Sequence, residues 1–87
     1  MDTNQAEPTD AYNSAIAAII RARKAELRLT FEALEASSGI NLRTLKRLVN
    51  DQRPFLMGNF IKLTAALDLD PAEVVQSAAS RVEKTSE

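Results

Sequence analysis

The side chains best suited to chemistry sit in one short run, LRTLKRLV at positions 42–49. Arg43 and Arg47 are four residues apart and Lys46 is three from Arg43, spacings that share one face of an α-helix. Leu45 and Leu48 fall on the other side, which leaves Leu42, Arg43, Lys46 and Arg47 facing outward together. A guanidinium is a planar fork of donors that matches two acceptors side by side, such as guanine O6 and N7 or the oxygens of a phosphate. Three cations with one apolar side chain near a helix start form a surface suited to the major groove of B-DNA. The plain alternative for Arg43, Lys46 and Arg47 is an ordinary solvated helix face. Leu42 has two readings as well: contact with a thymine methyl, or cover for the junction with the preceding helix.

Other chemistry is poorly provided for. The chain has no histidine and no cysteine, so it lacks the commonest general base, the commonest metal ligand and any thiolate. Its carboxylates lie mostly in expected helix caps and on exposed helical faces. No enzymatic activity, metal centre or cofactor is expected.

The elements that must position the cationic run follow from periodicity and punctuation. With 87 residues, 45% of them apolar and only four aromatic (Tyr12, Phe31, Phe55, Phe60), the core must come from Leu, Ile, Val and Ala. That composition suits packed helices. Residues 1–9 read as a disordered tail, 10–83 as one domain and 84–87 as a C-terminal tail. Thr9 or Asp10 caps a first helix over about 11–27, with Tyr12, Ile16, Ile19, Ile20 and Leu27 on its apolar side. Thr30 caps a second helix over about 31–37, ended by Gly39 in the left-handed conformation that favours glycine. Asn41 caps a third helix, 42–49, which Asn50-Asp51-Gln52-Arg53-Pro54 breaks. A fourth helix starts between Leu56 and Asn59, with Phe60, Ile61, Leu63, Thr64 and Leu67 as its buried stripe. Asp70-Pro71-Ala72-Glu73 places a cap, a proline at the first helical position and an acidic third residue ahead of a fifth helix to about 83. Val74, Val75, Ala78 and Val82 form its apolar face.

Helices two and three then make a helix-turn-helix. Leu34 packs on Leu45 and Leu48, Ile40 plugs the turn, and the small Ala33 permits close approach. Phe31 is expected in core or junction packing. Phe55, Leu56 and Met57 are either buried under the fourth helix, the favoured reading, or part of a dimer contact.

Charge agrees with this layout. Net charge is −1, but residues 21–53 carry eight Lys/Arg against four Asp/Glu, whereas the remainder carries three against eight. A basic middle between acidic ends is the distribution expected of a nucleic-acid surface in a chain with little net charge. Chance clustering on a solvated surface is the alternative.

The stretch LTFEALEASSGINLRTLKRLVND, residues 29–51, resembles the phage Cro and lambda-type repressor family of helix-turn-helix proteins. Leu29, Thr30, Glu32, Leu34, Ser37, Gly39, Ile40, Asn41, Leu45 and Leu48 carry the likeness, with small offsets around Ala33 and Ala36. It continues through FIKLTAALDLDPAEV and spans about residues 12–78. The resemblance implies an all-α, compact five-helix domain that reads operator DNA in the major groove. It assigns base contacts to Leu42, Arg43 and Arg47 with Lys46 alongside, and places Asn41 and Thr44 near the DNA backbone. Asn50, Arg53 and the backbone after the third helix match phosphate clamps. Arg21, Lys24 and Arg28 read either as phosphate contacts or as surface charge, and Arg28 is placed with the phosphate-binding set. Three positions depart from the pattern: Phe31 where glutamine is usual, Val49 where glutamate is common, and Asp51 where glycine is common.

The expected protein is thus a phage or bacterial transcription regulator, Cro-like or repressor-like, working in the cytoplasm on double-stranded DNA. No run approaches the length of a membrane span, and the polar, acidic start is unlike a signal peptide. A homodimer is expected, formed weakly in solution or only on DNA, because one module touches few base pairs. Two alternatives stay open: an antitoxin of the same fold with a toxin as protein partner, and a helical module that binds only protein.

Overall fold

The computed structural model describes residues 6–85. Five helices follow in order: α1 (Ala11–Glu26), α2 (Phe31–Ser38), α3 (Leu42–Val49), α4 (Met57–Ala66) and α5 (Pro71–Thr85), with no strand among the described residues. The fold is all-α, as expected, and each expected helix is present. Boundaries move by one or two residues: α1 stops at Glu26, α2 runs to Ser38 and α5 reaches Thr85.

Most helix starts are set by a side chain that meets an otherwise orphaned amide. The Asp10 carboxylate accepts from the Asn13 N–H (2.8 Å), and the Thr30 hydroxyl from Ala33 (3.0 Å). Asn41 Oδ1 accepts from Arg43 (3.0 Å) and Thr44 (3.3 Å), and Asp70 Oδ1 from Ala72 (2.9 Å). Only α4, which starts after Leu56, has no side-chain cap among the helices whose caps are described.

The ends share a second device. Arg28, Gly39, Asp51 and Asp68 all have positive φ (54°, 75°, 58° and 57°), one after each of α1 to α4. Around Arg28, Asp51 and Asp68 the backbone closes with paired bonds: Arg28 N–H to Ala25 O and Leu29 N–H to Lys24 O, then Asp51 to Leu48 and Gln52 to Arg47, then Asp68 to Ala65 and Leu69 to Thr64. Glycine is therefore not required for these left-handed closures. Aspartate tolerates the conformation better than most residues. After two of the closures the chain delivers a leucine, Leu29 or Leu69, onto the core.

That core is Ile20, Leu34, Ile40, Leu45, Val49, Leu63 and Leu67, with Phe31, Phe55 and Leu69 partly buried against it. Leu34 and Leu45 join α2 to α3 as expected, and Ile40 fills the turn. Leu48 is fully buried outside this cluster. Val49, at a position where the resemblance implies glutamate, is a core residue, and an apolar side chain suits it. Burying each large aliphatic side chain contributes about 1.5–3 kcal/mol. The buried Thr64 hydroxyl is satisfied by Phe60 O and Ile61 O, both at 3.0 Å.

Several expected core positions are corrected. Ala33 is exposed and does not mediate the approach of α2 to α3; Leu34 and Ile40 fill that space. Tyr12, Leu27, Ile61 and Val75 are exposed because neighbouring helices cover only part of each apolar stripe. Leu56 (62% exposed) and Met57 (73%) are not buried under α4; of that run only Phe55 packs inward, its ring edge-on to Phe60. The expected tail over residues 1–9 lies in its first five residues outside the described residues. Of the rest, the Glu7 N–H donates to Gln52 O (3.0 Å) and Thr9 bonds to Asp51. In the expected tail 84–87, Ser86 and Glu87 lie outside the described residues.

Candidate nucleic-acid interface

Helix α3 is held from behind and along both ends. Leu45, Leu48 and Val49 are buried. At its start, Asn41 caps two amides, and the Glu35 carboxylate of α2 accepts from the Leu42 N–H at 2.9 Å. At its end, Arg21 of α1 donates to Val49 O at 2.7 Å. A cation at a helix C-terminus meets both an unpaired carbonyl and the negative end of the helix dipole. Arg23 does the same for the end of α4, donating through Nε to Leu67 O at 2.9 Å. Arg21 was read as either a phosphate contact or surface charge; its guanidinium holds α3.

The loop after α3 is pinned to the start of α1. Asp51 accepts from Thr9 Oγ1 (2.9 Å), Asn13 Nδ2 (3.0 Å) and Ser14 Oγ (2.6 Å). Asn13 Oδ1 in turn accepts from the Phe55 N–H at 2.9 Å. Burial alone would raise the Asp51 pKa. The hydrogen bonds from Ser14, Asn13 and Thr9, with the Arg21 charge, outweigh it and hold the carboxyl below its ordinary value.

On the other side of α3, Arg43 and Lys46 are exposed, and Leu42, Thr44 and Arg47 are half-buried. Asn41 and Asn50 lie exposed at its two ends, and Arg53 is half-buried in the following loop. The structure thus brings eight of the nine sequence-predicted site residues onto one helix and its flanks. The ninth, Arg28, is exposed in the α1–α2 connection, on a separate segment. Among the described residues, the side chains of Arg28, Arg43, Arg47 and Arg53 form no hydrogen bond or ion pair. Leu42, half-buried with its amide capped, fits both of its readings. Among the described residues no helix is long and apolar enough to cross a membrane, and no group of three or more His, Cys, Asp or Glu is placed to hold a metal ion.

Sequence reasoning missed Glu35, Arg21, Arg23 and the Thr9–Asn13–Ser14–Asp51 cluster as positioning residues. A faint signal existed for Asp51, an aspartate two residues after a helix at a position where the resemblance makes glycine common. The contacts of Arg21 and Arg23 cross 28 and 44 residues, and no local pattern announces them.

A second surface feature is an open apolar groove of about 660 Å³ between the start of α1, the 54–57 segment and α5. Tyr12, Phe55, Leu56, Met57 and Val75 contribute to it.

No family model and no curated protein sequence matches the chain. Among solved structures, the chain is similar to the clp gene regulator ClgR from C. glutamicum, with a TM-score of 0.71 and 23% identity, over 86% of this chain and 95% of that one. At that identity the likeness establishes a shared helical fold.

Proposed function

We propose that this chain is a sequence-specific, double-stranded DNA-binding transcription regulator, with α3 seated in the major groove. The observation that carries this reading is the state of the α3 surface. Arg43 and Arg47 have no partner among the described residues for hydrogen bonds or ion pairs, yet the helix bearing them is braced at both ends. Guanidinium groups with no internal partner, on a helix held at both ends, are available to an external acceptor. Arg43 and Arg47 read base edges, with Lys46 beside them and Leu42 against a thymine methyl. Asn41, Thr44, Asn50, Arg53 and Arg28 contact phosphates and set the register. The fold shared with a gene regulator supports the reading.

One such module covers few base pairs, so we infer that two copies act together on half-sites about one helical turn apart. For the second copy we propose the groove, where Tyr12, Leu56, Met57 and Val75 leave apolar surface exposed. Regulation then comes from occupancy, by blocking or recruiting polymerase in the cytoplasm.

The test is a fluorescence-anisotropy titration of DNA from upstream of the protein's own gene, against a scrambled duplex, at two salt concentrations. Tight, salt-sensitive preference for the upstream DNA supports the reading. Binding to neither duplex moves the function to a protein partner.

A further inference from the structure

Phe31 replaces the glutamine that the resemblance implies at the start of α2, and the residues around it show what it does instead. Its ring is half-buried against the core. The Lys24 ammonium of α1 lies 4.1 Å from the ring centroid, and the Lys46 ammonium of α3 lies 5.8 Å from it. One aromatic ring therefore gathers cations from the helices on either side of its own. Both distances are within the range of attraction to the negative face of a ring. The two ammoniums are consequently no more than about 10 Å apart.

Two like charges drawn to one ring repel each other. Neither forms an ion pair among the described residues. The nearby Glu35 carboxylate is engaged by the Leu42 N–H and belongs to the α3 cap. An anion that both ammoniums reach would relieve the repulsion. Phosphates along one DNA strand follow each other every 3.4 Å of helix axis, so the two ammoniums can serve one phosphate or near neighbours.

We propose that Lys24 and Lys46, gathered by the Phe31 ring, form a phosphate clamp at the junction of α1, α2 and α3. This rests on the DNA-binding reading and refines it in two ways. Lys24 becomes a DNA contact. Lys46 serves the backbone and leaves base reading to Arg43 and Arg47. Phe31 acts as a positioning residue that touches no DNA atom itself: its ring holds two long side chains that would otherwise lose more rotamer freedom on binding.

The experiment compares Lys24→Gln, Lys46→Gln, Phe31→Leu and Phe31→Tyr with the parent chain, on the upstream duplex and on a random duplex, across a salt series. Circular dichroism melts confirm that each variant is folded. Each lysine variant is expected to weaken both duplexes by the same factor and to lower the slope of log K against log salt by about 0.9. Phe31→Leu should weaken both duplexes and Phe31→Tyr should restore them. If Lys46→Gln abolishes only the preference for the upstream duplex, it reads bases and the clamp is wrong. If Lys24→Gln leaves the slope unchanged, the clamp is also wrong, while the DNA-binding reading stands. If the parent binds neither duplex, both fail together.

Discussion

The Ser14 hydroxyl donates to the Asp51 carboxylate over 2.6 Å, joining residues 37 apart in the chain. With Thr9 and Asn13 on the same carboxylate, it fixes the loop that follows the helix facing outward. Asp51 also holds the left-handed conformation there, at φ 58°. Two effects are therefore combined in one residue: three hydrogen bonds that stabilise, and a backbone conformation that costs.

Substitution separates them. Asp51→Ala loses the hydrogen bonds and keeps the strained backbone, and is expected to destabilise by about 2 kcal/mol. Asp51→Gly loses the same bonds but relieves the strain, so it should lie about 1 kcal/mol above the alanine variant. Urea denaturation of the three chains measures the order. Equal stabilities for the alanine and glycine variants would contradict the backbone part.

The same carboxylate gives stability an acid limb. Its folded pKa is held below the ordinary aspartate value by the hydrogen bonds from Ser14, Asn13 and Thr9 and by the Arg21 charge. A depressed folded pKa contributes stability that is fully present above the unfolded value and is lost as pH falls through the folded one. The parent chain should lose stability below about pH 4, and Asp51→Asn should lose less over that window. The comparison is made by urea midpoints between pH 2 and 5. Parallel losses in the two chains would show that other carboxylates dominate.

Gly39 isolates the backbone term. Its φ is +75°, and a Cβ built there meets nothing within 4 Å. Gly39→Ala should therefore cost only the left-handed penalty of about 1–2 kcal/mol, without steric damage to the turn between α2 and α3. Gly39→Asn should cost less. Thermal unfolding checks both. A much larger loss would mean that the turn relies on more than conformation.

If two copies act together as proposed, the groove is where the second copy docks. Leu56→Glu with Met57→Glu removes its most exposed apolar side chains. Folding stability should change by less than about 0.5 kcal/mol, while sedimentation equilibrium, free and on DNA carrying paired half-sites, should show the parent's self-association lost and binding to the paired half-sites weakened. A parent chain that stays monomeric both free and on DNA would contradict the dimer.

The sequence disclosed what local chemistry controls. Asn41, Gly39 and Asp70-Pro71 act through residues two to four positions away, so they marked the start of α3, the end of α2 and the start of α5. The outward cations Arg43, Lys46 and Arg47 follow from the helical repeat alone, whereas Leu42, three residues before the buried Leu45, is half-buried at the edge of that face. What stayed hidden depends on where other helices lie. Periodicity gives Ile61 and Val75 an apolar face but not the neighbour that would cover it, and both are exposed. Ala33 suggested close packing by its size, yet it faces away from α3's contact. The carboxylate of Glu35 and the guanidinium of Arg21 are ordinary surface residues in sequence; only the tertiary fold carries them to the two ends of α3.

The most direct measurement is the affinity of an Arg43→Ala/Arg47→Ala double variant for the upstream and scrambled duplexes, beside the parent chain at matched salt. Each guanidinium that forks onto a base contributes about 1–3 kcal/mol of discrimination. The account predicts that the variant remains folded, keeps weak salt-dependent binding to both duplexes and loses its preference for the upstream DNA. An undiminished preference in the double variant would contradict α3 as the reading helix.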